Sequence, residues 1–230
     1  MKGIFRLITL LCIAAWSSHH VAAQAHYKPH ISVGARVGAS LAETSFSPSV
    51  KQTWLPGECG AVSIRYAEEK LFGLVAELGW SARGWKENFE DTPFSYTRRL
   101  TYITLPVMTH ISFGGKRALC FINLGPEIGY IVSENISSNF DYMNPAAVSD
   151  FPLNGRMTQQ LSMKLKNKFD YGITAGLGGE FYLTPRHSIT AEARFYYGLA
   201  NIFPSSKSDV FSASRAMSFE FTLGYFFRLK

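Results

Sequence analysis

Apolar and polar residues alternate along most of this chain. Ile31, Val33, Ala35, Val37, Ala39 and Leu41 are interleaved with Ser32, Gly34, Arg36, Gly38 and Ser40, a period of two that marks a strand with one apolar face. The same period returns over 60–66 and 72–81, and only residues 67–70 lie between them, so these two runs form a hairpin. A fourth run over 100–113 sets Ile103, Leu105, Val107 and Ile111 against Thr104, Met108 and His110, with an ambiguous phase at Leu100 and Tyr102. A fifth over 120–132 opposes Ile122, Leu124, Ile128 and Val132 to Phe121, Asn123 and Glu127, and Pro106 and Pro126 mark expected bulges in this pair. Runs over 169–181, 189–199 and 217–227 complete a set of eight strands.

The connections alternate in length. Tight turns follow the second, fourth and sixth runs at 67–70, 114–117 and 184–187, whereas the segments 43–55, 84–99, 133–167 and 202–214 are long and polar. An even number of alternating strands joined this way predicts an all-β fold, an eight-stranded antiparallel up-and-down transmembrane β-barrel, with short turns on the periplasmic side and long loops outside. Mean hydropathy is close to zero at +0.01 although 14% of the residues are aromatic, as expected when apolar residues alternate instead of clustering. After the first residues no apolar run is long enough for a spanning helix, and the other backbone that satisfies its own hydrogen bonds in lipid is a closed barrel.

The polar face distinguishes this barrel from a soluble sandwich, which would alternate equally well. It carries Arg36, Arg65, Glu77, Arg83, Glu127, Asp170, Glu180, Glu192, Arg194 and Glu220 among many glycines and few lysines. A wet face favours lysine, whereas arginine, carboxylates and small neighbours suit a narrow interior in which charges must pair. These ten residues are therefore expected to form an interior ionic network. Aromatics fall where two interfacial girdles would lie: Trp54, Trp80, Trp85, Tyr130, Tyr171 and Tyr197 towards the external rim, and Tyr66, Phe72, Phe113, Phe181, Tyr225 and Phe227 towards the periplasmic rim.

The N-terminal segment has the form of a secretory signal peptide: Lys2 and Arg6, an apolar stretch over 7–15, then Ala22, Ala23 and Ala25. Residues 1–23 are expected to be removed, with cleavage after Ala23 or Ala25, leaving one barrel domain over 24–230 in the outer membrane. Cys12 lies within the apolar stretch behind Leu10 and Leu11, which does not fit a lipoprotein signal. Cys59 and Cys120 fall near opposite ends of the expected barrel, too far apart for a disulfide. The formal charge of +6 is mild and scattered, so nucleic acid is not an expected partner. His26, His30 and His187 lack metal-ligand spacing, and neither a metal nor a cofactor is expected.

The chain resembles the PorT-like outer-membrane β-barrel proteins. The resemblance rests on the glycine-rich first strand over 33–40, the segment 102–107 with Pro106, the segment 124–130 with Gly125 and Pro126, and the segments 170–180 and 197–202. It implies a barrel subunit of a protein-secretion or envelope-assembly complex as one role. Such barrels commonly end on an aromatic read by the barrel-assembly machinery, an expected partner alongside outer-membrane lipid; here Arg228, Leu229 and Lys230 follow Phe226 and Phe227 and displace that signal.

By elimination the expected role is non-enzymatic, structural or interactive, and carried by the external loops. A lipid-A-modifying enzyme is the catalytic alternative, because His110 and Ser112 resemble the His and Ser of outer-membrane lipid A deacylases, but these residues stand at the periplasmic end. The loop 133–167, which opens with Ser133 and closes with Asn167, is expected to continue strands five and six as a β-hairpin above the membrane. The apolar parity of strand six runs back through Leu165, Met163, Leu161 and Met157, that of strand five runs on to Ile136, Phe140 and Tyr142, and Asn144, Pro145, Asn154 and Gly155 mark the tip. Such a ribbon would offer an apolar, lysine-edged face to another envelope protein.

Overall fold

Every alternating run folds as a strand, and most strands continue past it. In the computed structural model, which describes residues 29–229 except 68, 70, 91, 154 and 155, the order is β1 (His30–Ser47), β2 (Gln52–Thr53), β3 (Leu55–Ala67), β4 (Phe72–Glu87), β5 (Tyr96–Gly114), β6 (Ala118–Ser138), β7 (Phe169–Tyr182), β8 (His187–Gly198) and β9 (Ala213–Arg228). The expected leader 1–23, its cleavage position, and the tip residues Asn154 and Gly155 lie outside the described residues. Eight long strands pair antiparallel in chain order, β4 with β5 included, and β9 returns to β1 from Ser32↔Arg228 to Ser47↔Ala213. The sheet is thus a closed ring, the expected eight-stranded up-and-down barrel; β2 is a two-residue ribbon on the upper edge of β4, at Gln52↔Glu87 and Thr53↔Lys86.

Period-two alternation fixes which side faces what. Outward positions are aliphatic and open, among them Val37, Val62, Ile173, Leu177 at 60% and Leu223 at 70% exposure. A continuous apolar band of this kind is intolerable in water and is the lipid-facing surface of a barrel. Inward positions are polar and buried. Two glycines carry particular constraints. Gly84 has φ +130, and a side chain there would meet the Arg98 carbonyl oxygen at 2.0 Å, where β4 passes from the wall into its extension above the rim. On β7, a Cβ at Gly176 would lie 2.2 Å from Glu192 Oε1, so glycine makes room for a carboxylate inside the barrel.

The end bearing the long loops is covered. Phe46, Trp85, Phe89, Tyr96, Leu100, Tyr102, Ile131, Phe151, Leu161, Ile202, Phe203 and Phe211 form one buried apolar core contributed by all four loops and the strand ends beneath them. The expected hairpin in 133–167 is half corrected. Strand β6 does continue to Ser138, but it pairs with the upper part of β5, Tyr96↔Ser138, not with β7. Strand β7 starts only at Phe169, and the intervening chain holds a 3₁₀ turn at Pro145–Ala147 and a short helix, α1 (Gln159–Ser162). Leu161 is fully buried, and Met157, Met163, Leu165, Ile136, Phe140 and Tyr142 pack against the same core. Their shared parity reflects burial in a cap that several loops build together, and the apolar face expected to be offered to a partner is consumed within the chain.

Replacing Leu177, on the lipid face of β7, by arginine is expected to lower the unfolding free energy in lipid vesicles by about 2–4 kcal/mol, because a guanidinium near the bilayer midplane must be hydrated or snorkel away. Urea titration followed by tryptophan fluorescence measures it, and a change within error would mean that this face does not contact lipid.

Candidate functional site

The structure turns all ten charged residues of the polar face inward and buries them. Arg36 on β1 donates through Nε to Glu77 Oε2 at 3.0 Å and through Nη1 to Glu220 Oε2 at 3.2 Å, linking β4 to β9 across the lumen. Arg194 on β8 reaches the same Glu77 at 2.7 Å and its neighbour Glu192 at 2.8 Å. Glu192 also accepts from the Asn123 amide at 2.9 Å, and Ser81 donates to Glu220 at 2.7 Å. Nearer the short turns, Arg65 forms a bidentate pair with Glu180, at 2.8 and 2.7 Å. Nearer the loops, Arg83 is paired with Glu127 and lies 3.8 Å over the Tyr196 ring and 5.2 Å from that of Tyr102. Asp170 joins no arginine within bonding distance among the described residues; it accepts from the Tyr196 hydroxyl at 3.0 Å.

Four arginines thus face six carboxylates in a lumen that their own side chains fill. Eight strands enclose a space of about that capacity, and charge-assisted contacts across it engage all four arginines. The arrangement can brace the wall and exclude ions. The serines and the Arg83–tyrosine stacks were not identified from sequence, although Ser63, Ser81, Tyr102 and Tyr196 share the inward parity that would have found them.

A second polar cluster holds the cap and was missed entirely. Gln160 Nε2 donates to Glu87 Oε1 at 2.9 Å, and Arg156 bridges to Glu87 Oε2 at 3.2 Å. Tyr96 donates its hydroxyl proton to the Leu161 carbonyl at 2.8 Å, and Arg98 Nη1 donates to the Met163 carbonyl at 2.8 Å. Outward-pointing Lys86 beside Glu87 is exposed, so this stretch stands clear of the apolar band. Burial raises the Glu87 carboxyl to about 7, an effect that the Gln160 bond and Arg156 only partly offset.

The aromatics divide. Trp54, Trp80, Tyr130, Tyr171, Tyr66, Phe72, Phe113, Phe181 and Tyr225 are exposed on the outer wall, with Tyr197 and Phe227 half-buried there. Trp85 is the correction: it is fully buried in the cap core, edge-on to Phe46 and Phe203, because it continues the inward parity of Glu77 and Arg83.

At the end bearing the short turns the barrel opens into a cavity of about 800 Å³, which His110 and Ser112 line. His110 Nδ1 is bonded to the Asn123 amide oxygen at 2.8 Å and its ring packs on Phe121. An amide, and not a carboxylate, orients this imidazole at that nitrogen. Cys59 and Cys120 are both free thiols, the first buried and the second exposed. Among the described residues no group of three or more His, Cys, Asp or Glu side chains could hold a metal ion.

Residues 22–204 match the outer membrane protein beta-barrel domain family. Among solved structures, the chain is similar to Neisserial surface protein A, with a TM-score of 0.47 at 13% identity over 87% of this chain and 99% of that one. OprG from Pseudomonas aeruginosa gives 0.46 at 10% identity, over 86% and 95%. The Escherichia coli outer membrane protein W gives 0.42 at 15%, over 87% and 99%. Among curated proteins, none matches the chain.

Two outcomes follow from the geometry. Arg194→Met leaves Glu77 and Glu192 short of a buried partner and is expected to cost about 3–5 kcal/mol in urea unfolding, as broken buried pairs do; a loss below about 1 kcal/mol would mean that water reaches the lumen freely. Because Glu87 binds its proton more tightly folded than unfolded, its contribution is complete below pH 4.5 and is lost as pH rises through about 7. Amide exchange, corrected for the intrinsic pH dependence, should therefore show the segment around α1 opening more at pH 8 than at pH 5, and Glu87→Gln should flatten that difference.

Proposed function

The chain belongs to the outer membrane protein beta-barrel domain family, and from that premise we propose that it is a sealed, non-conducting barrel of the outer membrane whose task is non-catalytic interaction through its loop cap. It reaches that membrane by export through a cleaved signal peptide. The observation that carries the proposal is the cap itself. Four loops share one buried core over a lumen crossed by ion pairs, so the cell-surface end is a folded platform and not a pore mouth. Met143, Leu153 and Val210 remain exposed on its loops, apolar side chains that the cap core leaves unused and that would serve as contact points.

The resemblance to PorT-like proteins supports a narrower form of this role, in which the partner is another envelope protein of a secretion or assembly complex engaged by the loop 133–167. A lipid-A-modifying activity fits the geometry less well. His110 and Ser112 line the cavity at the end opposite the loops, and the imidazole is tied to an amide.

Tagged barrel recovered from intact outer membranes is expected to bring a stoichiometric partner, and Met143→Asp, Leu153→Asp and Val210→Asp together should release it. Pure protein in planar bilayers should give no steady channel steps. Recovery of bare barrel after cross-linking would refute the interaction, and large regular steps would refute the seal.

A further inference from the structure

Within the lumen each arginine is matched to a carboxylate, but the pattern stops at the cavity between the short turns. There Arg65 is neutralised by its bidentate pair with Glu180, at 2.8 and 2.7 Å. Lys116, Arg117 and Arg228 line the same cavity, and among the described residues none of the three has a carboxylate within bridging distance. Arg228 is the most constrained. It is half-buried at the end of β9, its Cζ lies 5.6 Å over the Tyr182 ring, and its Nη2 donates to the Tyr182 hydroxyl at 3.5 Å. Its Nε is buried and has no hydrogen-bond partner among the described residues. A guanidinium braced on an aromatic ring and lacking a carboxylate partner is suited to bidentate contact with a planar or tetrahedral oxyanion.

The backbone assists. Gly114 has φ +142 at the start of the tight turn, and Lys116 and Arg117 follow after Gly115, so their chains spring from the rim of the cavity. Ala67, Leu119 and Leu183 contribute apolar surface to it, beside which a charge–anion contact is stronger than in open water. The volume of about 800 Å³ exceeds what one bare ion needs, and is within the range of pockets that hold small organic ligands.

We propose that this periplasm-facing vestibule is an oxyanion site, with Arg228 as its principal ligand and Arg117 and Lys116 completing it, which takes a phosphate group. Two sources share that chemistry: a soluble phosphate compound of the periplasm, and the headgroup of an anionic phospholipid in the inner leaflet, since Phe113 and Tyr225 mark the headgroup level on the adjacent outer wall.

The test uses the full mature barrel in nanodiscs and reads backbone amide shifts by NMR. In the first arm, discs of phosphatidylcholine are titrated with orthophosphate and, separately, with chloride at matched ionic strength. In the second, phosphatidylglycerol replaces phosphatidylcholine stepwise without added solute. A saturable shift at residues 114–117 and 183–187 in either arm, weakened about tenfold or more by Arg228→Gln and less by Arg228→Lys, supports the site and identifies its source. Arg117→Gln, in an exposed turn, provides a second variant should Arg228→Gln fail to fold. Shifts that chloride reproduces, or that both glutamine variants leave unchanged, overturn the proposal, as does the absence of saturation in both arms.

Discussion

Closure of the hydrogen-bonded ring is the constraint on which everything else here depends. Lipid offers no partner to a free amide or carbonyl, so β1 must find β9 across nearly the whole chain, from Ser32↔Arg228 to Ser47↔Ala213. Once that seam is made, the side-chain period of two has no freedom left: each residue faces lipid or lumen according to its parity. The protein is in this sense inverted, with aliphatic residues outside and charge within, and its stability rests on the lumen being as well packed as a soluble core.

The lumen meets that demand by sharing charges instead of pairing them off. Glu77 receives both Arg36 and Arg194, and Glu220 receives Arg36 and Ser81. Strands β1, β4, β8 and β9 are thereby tied across the barrel as well as around it. In a medium of low polarizability such contacts are strong only when their geometry is fixed, and Gly176 shows how the wall adapts, leaving the space that the Glu192 carboxylate fills. The same contacts that hold the arginines also stiffen the wall.

Parity made much of this legible in the sequence. The side on which Arg36, Glu77, Arg194 and Glu220 lie follows from the alternation alone, as do the turns at 114–117 and 184–187. Which arginine meets which carboxylate does not follow, because it depends on barrel curvature and on register between strands far apart in the chain. Trp85 shows how composition can mislead: an aromatic near the rim looks like a girdle residue, yet its odd number places it with Arg83, inside. Tyr102 was ambiguous for a related reason, since an apolar inward residue makes sense only once the cap above it is known. The segment 157–165 exposes the limit most clearly. Its apolar positions do act as one set, but the alternation reads as a strand face open to a partner, whereas a short cap helix and its flanks bury the set against Phe46, Phe89 and Phe203 arriving from other loops.

The division of the cap into a shared core and separate tips also bears on how such a surface can change over generations. A molecule approaching this end of the barrel can touch the tips, where Met143, Leu153 and Val210 lie outside the core. A substitution at these places alters the exposed face and leaves the aromatic packing beneath undisturbed. A substitution at Phe203 or Leu161 would unsettle all four loops at once, because each leans on the others. Tolerance to change is therefore confined to short arcs of chain, and the tips can vary while the platform that presents them stays the same.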